Sequence, residues 1–318
     1  MIVLFLLLHI LGLGIITFAN LYMAQINPTQ DYDAIHTLTF SSASGTCKIR
    51  LYRGSSSAYT GTVYYRAGTS GAWTSLSVSG DSTTFNVTST TMQVAHDWNK
   101  SGNNYMTPSF YNQTTNLTDI SISQKAVLSG TVGNSFMYYY ARGCSSLTSL
   151  SVPDTSGLTS VGNSFMDNYA RGCSKLTSLP VPDTSGLTSV GDYFMYSYAR
   201  DCSSLTSLSV PDTSGITSVG DYFMGLYAYR CTSLTSLILP AVGWFATHDI
   251  NWSVPSGRLG YLKGYANNVT DRDNWRALTT STSPNTLYIN YIRSADDVIL
   301  PQTPVVGEKY ALPPFRRA

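Results

Sequence analysis

Between Val132 and Leu239 the apolar positions of the chain repeat with a single period. Phe136, Tyr140, Ala141 and Cys144 return as Phe165, Tyr169, Ala170 and Cys173. They return again as Phe194, Tyr198, Ala199 and Cys202, and last as Phe223, Tyr227, Ala228 and Cys231. The period of 29 residues is fixed independently by Val132, Val161, Val190 and Val219. Repetition at this length marks units that cannot bury their apolar faces alone and must stack. The four-residue spacing of Phe, Tyr and Cys suits one face of a helix. Asn134, Asn163, Asp192 and Asp221 stand two residues before each Phe, where a helix needs an N-cap acceptor. The pattern predicts a short helix over 135–142, with equivalents in the later units.

After each cysteine comes the apolar pattern of a short strand. It reads Leu147, Leu150 and Val152, then Leu176, Leu179 and Val181, then Leu205, Leu208 and Val210, then Leu234, Leu237 and Leu239. A degenerate earlier copy at Leu117, Ile120 and Ile122 makes five stacked strands. Pro153 to Gly157 then reads as a turn, with Pro presetting the backbone and Asp bonding within the turn. Upstream, segments around 46–52, 61–67, 72–78, 83–89 and 91–98 alternate apolar with polar residues, which predicts a small antiparallel β-sandwich over 31–115. Its expected core is Ile49, Leu51, Val63, Tyr65, Trp73, Leu76, Val78, Phe85, Val87 and Val94. Downstream, the repeat decays into an expected cap over 241–299, with a short helix at 271–278 and a strand at 286–292. A Pro-rich, extended tail follows over 300–318. The expected fold class is a mixed α/β solenoid: a short leucine-rich-repeat stack over 117–240, preceded by the sandwich.

The order of Phe136, Cys144, the Leu147-Thr148-Ser149-Leu150 strand and the Asp154-Thr155-Ser156 turn resembles the BspA-like leucine-rich repeat family. The resemblance covers 117–240. The unit departs from the family in being longer, by the insertion that reads Tyr138-Tyr139-Tyr140-Ala141. It also carries Thr155 where an Asn or Cys is expected after the strand. The resemblance implies a surface protein, and several members act in adhesion; it identifies no ligand.

Composition narrows the class of partner. A net charge of +1 with 12% charged residues offers no basic stripe, so nucleic acid is not an expected partner. The 23 tyrosines, set among Ser and Thr, suit an outside surface. The apolar run over 2–19 has the length of a signal peptide or a short membrane anchor, although no Lys or Arg precedes it. Export is the preferred reading of 1–23, retention as an anchor the second, and a translation start at Met23 the third. Membrane contact is expected only through this segment, and the expected location is extracellular or on the surface of a cell or virion. Six Asn-x-Ser/Thr sites, at Asn86, Asn99, Asn112, Asn116, Asn251 and Asn268, permit glycosylation.

No catalytic motif is present: there is no nucleophile elbow, P-loop or paired glutamate, and no enzyme activity or cofactor is expected. Cys144, Cys173, Cys202 and Cys231 would stack a strand spacing apart with parallel side chains, a poor geometry for disulfides. Together with Phe136, Phe165, Phe194 and Phe223 they are expected as a buried, reduced core ladder, with Cys47 outside it. No metal site is expected. His36, His96 and His248 have no ligand spacing relative to the cysteines, and one carboxylate per turn (Asp154, Asp183, Asp212) is thin coordination for calcium. Arg142, Arg171 and Arg200 also stack, and carbonyls at the helix ends are their expected partners.

Positions that differ between copies are read as exposed: Tyr138-Tyr139, Asp167-Asn168, Tyr196-Ser197 and Gly225-Leu226. Tyr138, Tyr139 and Tyr196 are therefore the candidate ligand contacts, with Arg142 and Arg171 beside them for any acidic group. The expected function is non-enzymatic attachment to an extracellular glycan or protein. The alternative is a structural module of a surface layer, fibre or viral tail. Regular Thr148, Thr177, Thr206 and Thr235 raise a further option, an ice-binding face.

Overall fold

The computed structural model describes residues 31–239, apart from 81, 99–100 and 114–115, together with 263–266, 270 and 291–294. The N-terminal segment, the tail and most of the expected cap, with its helix at 271–278, lie outside these residues.

Alternating apolar residues make the first eight strands: β1 (Ala34–Phe40), β2 (Thr46–Tyr52), β3 (Gly61–Ala67), β4 (Thr74–Val78), β5 (Thr83–Asn86), β6 (Thr91–His96), β7 (Thr107–Ser109) and β8 (Leu117–Gln124). One antiparallel sheet runs β8-β1-β6-β3-β4, and a second runs β5-β2-β7. Leu38, Ile49, Leu51, Val63 and Val94, from both sheets, lie in one core. β8 has a second role. Its other edge pairs in parallel with β10 (Ser149–Leu150), Ile120 opposite Leu150, so the first sheet continues directly into the repeats.

The repeats add strands in parallel. β9 (Ser129–Val132), β11 (Gly157–Val161) and β12 (Ser189–Val190) form one sheet. β13 (Ser207–Ser209), β14 (Ser236–Leu239), β15 (Lys263–Ala266) and β16 (Tyr291–Ser294) form another. The registers Ser160 opposite Ser189 and Ser207 opposite Ser236 carry the 29-residue period into space.

Between residues 31 and 239 every regular element is a strand. The expected mixed α/β solenoid of leucine-rich repeats is corrected to an all-β architecture. In place of the helix over 135–142, the backbone alternates in handedness. φ is +59° at Ser135, +55° at Met137 and +57° at Tyr139, and the equivalent places are left-handed in all four units. A helix would spend these N–H groups on its own carbonyls. Here they cross to the next unit: Tyr139 N–H donates to Asp167 O (3.0 Å), Ala141 to Tyr169 O (2.8 Å) and Gly143 to Arg171 O (2.6 Å). Asn168 and Ala170 repeat this onto Tyr196 and Tyr198. Phe136, Met137, Tyr140, Ala141 and Cys144 are all buried while 138–139 and 142–143 are not. Two-in, two-out alternation has a period of four, close enough to 3.6 to imitate a helix.

Other places read as helix or turn chemistry become rungs between units. Asn134 is no N-cap: its Oδ1 accepts from Asn163 N–H of the next unit (2.8 Å), and Asn163 Oδ1 accepts from Asp192 N–H (3.0 Å). Buried Thr155 donates its hydroxyl to Asp183 O (2.7 Å), which explains a Thr where an Asn or Cys was expected. Asp154 Oδ1 accepts from Ser156 N–H (3.0 Å), an acceptor satisfied inside its own turn.

The core is a set of columns. Phe136, Phe165, Phe194 and Phe223 stack at 5.4–5.6 Å between centroids, and Tyr140, Tyr169, Tyr198 and Tyr227 at 5.1–5.5 Å. Tyr198 and Tyr227 donate their hydroxyls to Pro180 O and Ser209 O. Cys144, Cys173, Cys202 and Cys231 are free and buried; the thiol of Cys144 donates to Phe110 O of the sandwich and the other three to a carbonyl of the unit before, at 3.0–3.1 Å. The sandwich covers the near end of these columns: Trp98 and Tyr105 meet Phe136, and Phe110 meets Tyr140. Phe165 lies between two rings at 5.6 Å each and is fully buried. Phe165→Ala is expected to lower the unfolding free energy by about 3–5 kcal/mol. Urea denaturation measures it, and a loss below about 1 kcal/mol would contradict the column.

Candidate functional site

The sequence candidates fall in two places. Tyr138 and Tyr139 are half-buried at the junction between sandwich and stack. Their rings stack on each other at 4.0 Å and meet buried Tyr52 of β2 edge-on at 5.0 and 6.5 Å. Burial, and then the hydrogen bond with Tyr139, push the Tyr138 hydroxyl above its ordinary range; burial raises Tyr52 to about 12. These two rings serve packing. The differing positions of the next units are more enclosed still, with Asp167, Asn168 and Ser197 all buried. The reading of such positions as exposed is corrected: the pairs differ because each unit meets different neighbours.

Arg171 and Arg200 find counter-charge rather than helix-end carbonyls, and Arg142 finds a ring. The place after each stacked arginine requires left-handed backbone and is Gly143 and Gly172 in the first two units, with φ of +74° and +80°. In the third unit it is Asp201, with φ of +63°. Its carboxylate lies 3.7 Å from Arg171 Nε, 3.3 Å from Arg200 Nε and 3.5 Å from Arg230 Nε. Arg171 also donates to Asn168 Oδ1 (3.2 Å), and Arg142 lies over the Tyr139 ring at 4.5 Å. Arg142 and Arg171 are thus engaged by their own neighbours.

Tyr196 belongs to a different cluster, one the sequence reading did not identify. The residue after each Asn or Asp rung reads Ser135, Ser164, Tyr193 and Tyr222, a change from small to aromatic that was visible in the repeats. Tyr193 and Tyr222 are 38% and 61% exposed, against a core whose other rings are nearly all buried. Their rings stack at 4.7 Å and 11°, and Tyr196 stands edge-on to both at 5.6 and 6.2 Å. Gly225 makes room for this: a Cβ there would come within 2.9 Å of the Tyr196 ring. The result is an exposed aromatic cluster on interlocked backbone.

A second group of chemical interest is wholly buried. His96 Nδ1 lies 3.1 Å from Asp97 O, which only a donor can satisfy, so His96 Nε2 is the acceptor of the 2.9 Å contact with His36 Nε2. His36 Nδ1 then accepts from the Tyr140 hydroxyl (2.8 Å). The chain is complete with both imidazoles neutral, and it ties β1 and β6 to the first stacked tyrosine. Among the described residues, no three His, Cys, Asp or Glu side chains gather as a metal site. No family model, curated protein or solved structure matches the chain.

Burial holds His36 well below the usual imidazole range and lowers His96 to about 4, the nearby Asp33 carboxylate and the Asp97 carbonyl opposing it only in part. Unfolded histidines protonate near pH 6.5, so acid favours the unfolded chain. Stability is lost as pH falls from about 6.5 toward 4, by about 1.4 kcal/mol per pH unit per histidine. Asp167 acts in the opposite sense, because burial raises it to about 7 and protonation below that pH relieves the folded state. Urea unfolding of Asp167→Asn from pH 7.5 to 4.5 removes this opposing effect and is expected to show a steady loss. A flat profile would contradict the neutral, buried pair.

Proposed function

We propose that the protein is a non-enzymatic attachment protein, displayed outside the cell, that holds an extracellular glycan or protein on the repeat stack. The observation that carries this reading is the Tyr193–Tyr196–Tyr222 cluster. Exposed rings add nothing to a core that already closes without them, whereas they give a partner flat apolar surface with hydroxyls at its rim. The backbone beneath them is pinned to its neighbours, Tyr193 N–H to Asp221 O (2.8 Å) and Ser197 N–H to Gly225 O (2.8 Å), so little conformational freedom is lost on binding.

One observation favours the second reading, a structural module. Exposed Thr148, Thr206 and Thr235 each donate their hydroxyl to the carbonyl of the Thr one unit earlier, at 3.0–3.2 Å. These three hydroxyl donors are spent internally, which leaves the face to meet a neighbouring copy. The two readings separate by experiment. The full chain, applied to arrays of glycans and extracellular matrix proteins, is expected to bind saturably to one class of spot and to remain monodisperse in light scattering. Absence of binding together with concentration-dependent assembly would replace attachment by the structural module.

A further inference from the structure

The column of exposed rings begins abruptly. Ser135, Ser164, Tyr193 and Tyr222 share one backbone conformation, with φ of +59°, +59°, +57° and +58°, so their side chains stand in register along the stack. The ring of Tyr222 covers one face of Tyr193 at 4.7 Å. On the other side the preceding unit supplies only Ser164, so among the described residues no ring covers the second face of Tyr193. Beside that face runs the polar rung: Asn163 Nδ2 donates to Asp192 Oδ2 (3.2 Å), and Asp192 Oδ1 accepts from Asp221 N–H (2.8 Å). The charged groups acting on Tyr193 are Asp192 and Asp167, with no cation among them.

A ligand that continues this column needs a flat apolar face to lie on the Tyr193 ring. It also needs hydroxyl donors at its edge for the Asp192 carboxylate. It cannot carry negative charge, which the Asp192 carboxylate beside that face would repel. A pyranose ring offers all three. We infer that the open face of Tyr193, bounded by Ser164, Asn163 and Asp192, is a subsite for a neutral saccharide, the sugar taking the place of the ring that the second unit lacks. This rests on the attachment reading and assigns it a position and a ligand class. It also moves the candidate contacts from Tyr138 and Tyr139 to Tyr193, with Tyr196 and Tyr222 as its support.

Two variants test it without touching the core. Tyr193→Ser removes the platform. Ser164→Tyr leaves the platform but covers it, and it is compatible with the fold because Tyr193 and Tyr222 already hold a tyrosine at this backbone conformation. Saturation-transfer NMR on the full chain with a panel of neutral disaccharides (cellobiose, lactose, maltose, chitobiose), with glucuronate as the acidic control, gives the affinities. At least one neutral disaccharide is expected to bind, glucuronate is not, and both variants are expected to weaken binding at least tenfold with an unchanged melting temperature. Neutral sugar binding that survives both variants, or binding of glucuronate alone, overturns the subsite. A parent chain that binds proteins on the arrays but no neutral saccharide also overturns the subsite while leaving attachment standing; a parent that binds nothing overturns both.

Discussion

Hydrogen bonds passing from unit to unit through the alternating-handed segment are the interaction on which the rest of the structure depends. Left-handed backbone costs an L-residue about 1–2 kcal/mol, and this chain places an unbranched, bulky Met there in every unit, at Met137, Met166, Met195 and Met224. Within a unit the offset is small, coming from turn contacts such as Tyr138 N–H to Ser135 O (3.4 Å) and Arg142 N–H to Tyr139 O (3.3 Å). What offsets it is the next unit, whose carbonyls receive the N–H groups of Tyr139, Ala141 and Gly143, while the inward pairs bury Phe136, Met137, Tyr140 and Ala141 against the following rings. A unit by itself would carry the strain and gain neither. The stack therefore needs a surface on which to begin, and the sandwich supplies one. β8 offers a strand edge, Phe110 N–H and Asn112 N–H meet Tyr140 O and Arg142 O, and His36 accepts the hydroxyl of Tyr140.

Much of this was legible in the residues. The period, the Phe, Tyr and Cys columns and the strand positions all follow from what repeats, because a stack places equivalent side chains in one environment. The five upstream segments read as strands are β2 to β6, where alternation between buried and open faces is plain. β1 escaped notice because His36, Thr37 and Thr39 interrupt its apolar residues, and the burial of His36 depends on partners sixty and a hundred residues away. The helix was misread for a definite reason. Phe136, Tyr140 and Cys144 fit a four-residue spacing, and left-handed backbone at every second residue leaves no mark in hydrophobicity alone. The same error carried the Asn134 column to a helix cap and the arginines to helix-end carbonyls. The fixed neighbours Met137 and Ala141 were the available clue, since they make the buried positions come in pairs.

The candidate site was legible only in part. Comparing copies separates what must stay from what can change, but change has two causes. Near the sandwich, Tyr138, Tyr139 and Asp167 differ because the first units pack against Tyr52 and one another. Farther along, Tyr193 and Tyr222 differ from Ser135 and Ser164 with no such demand from the core. Only burial distinguishes adaptation to a neighbour from display to a partner. On that measure the chain divides its labour along its length. Early units are fitted to the sandwich, while later ones, freed from it, carry exposed rings and the Asp201 carboxylate that holds Arg171, Arg200 and Arg230 together.

The central claim is that the segment read as a helix is held instead by bonds between units. Native-state hydrogen exchange on the amides of Ala141, Asn168, Ala170, Ser197 and Ala199 tests it most directly. Each donates to the next unit at 2.8–2.9 Å, so all are expected to open only with the whole stack and to share one exchange free energy close to that of global unfolding. Rapid exchange of these amides, at the rate of exposed turns, would contradict the account.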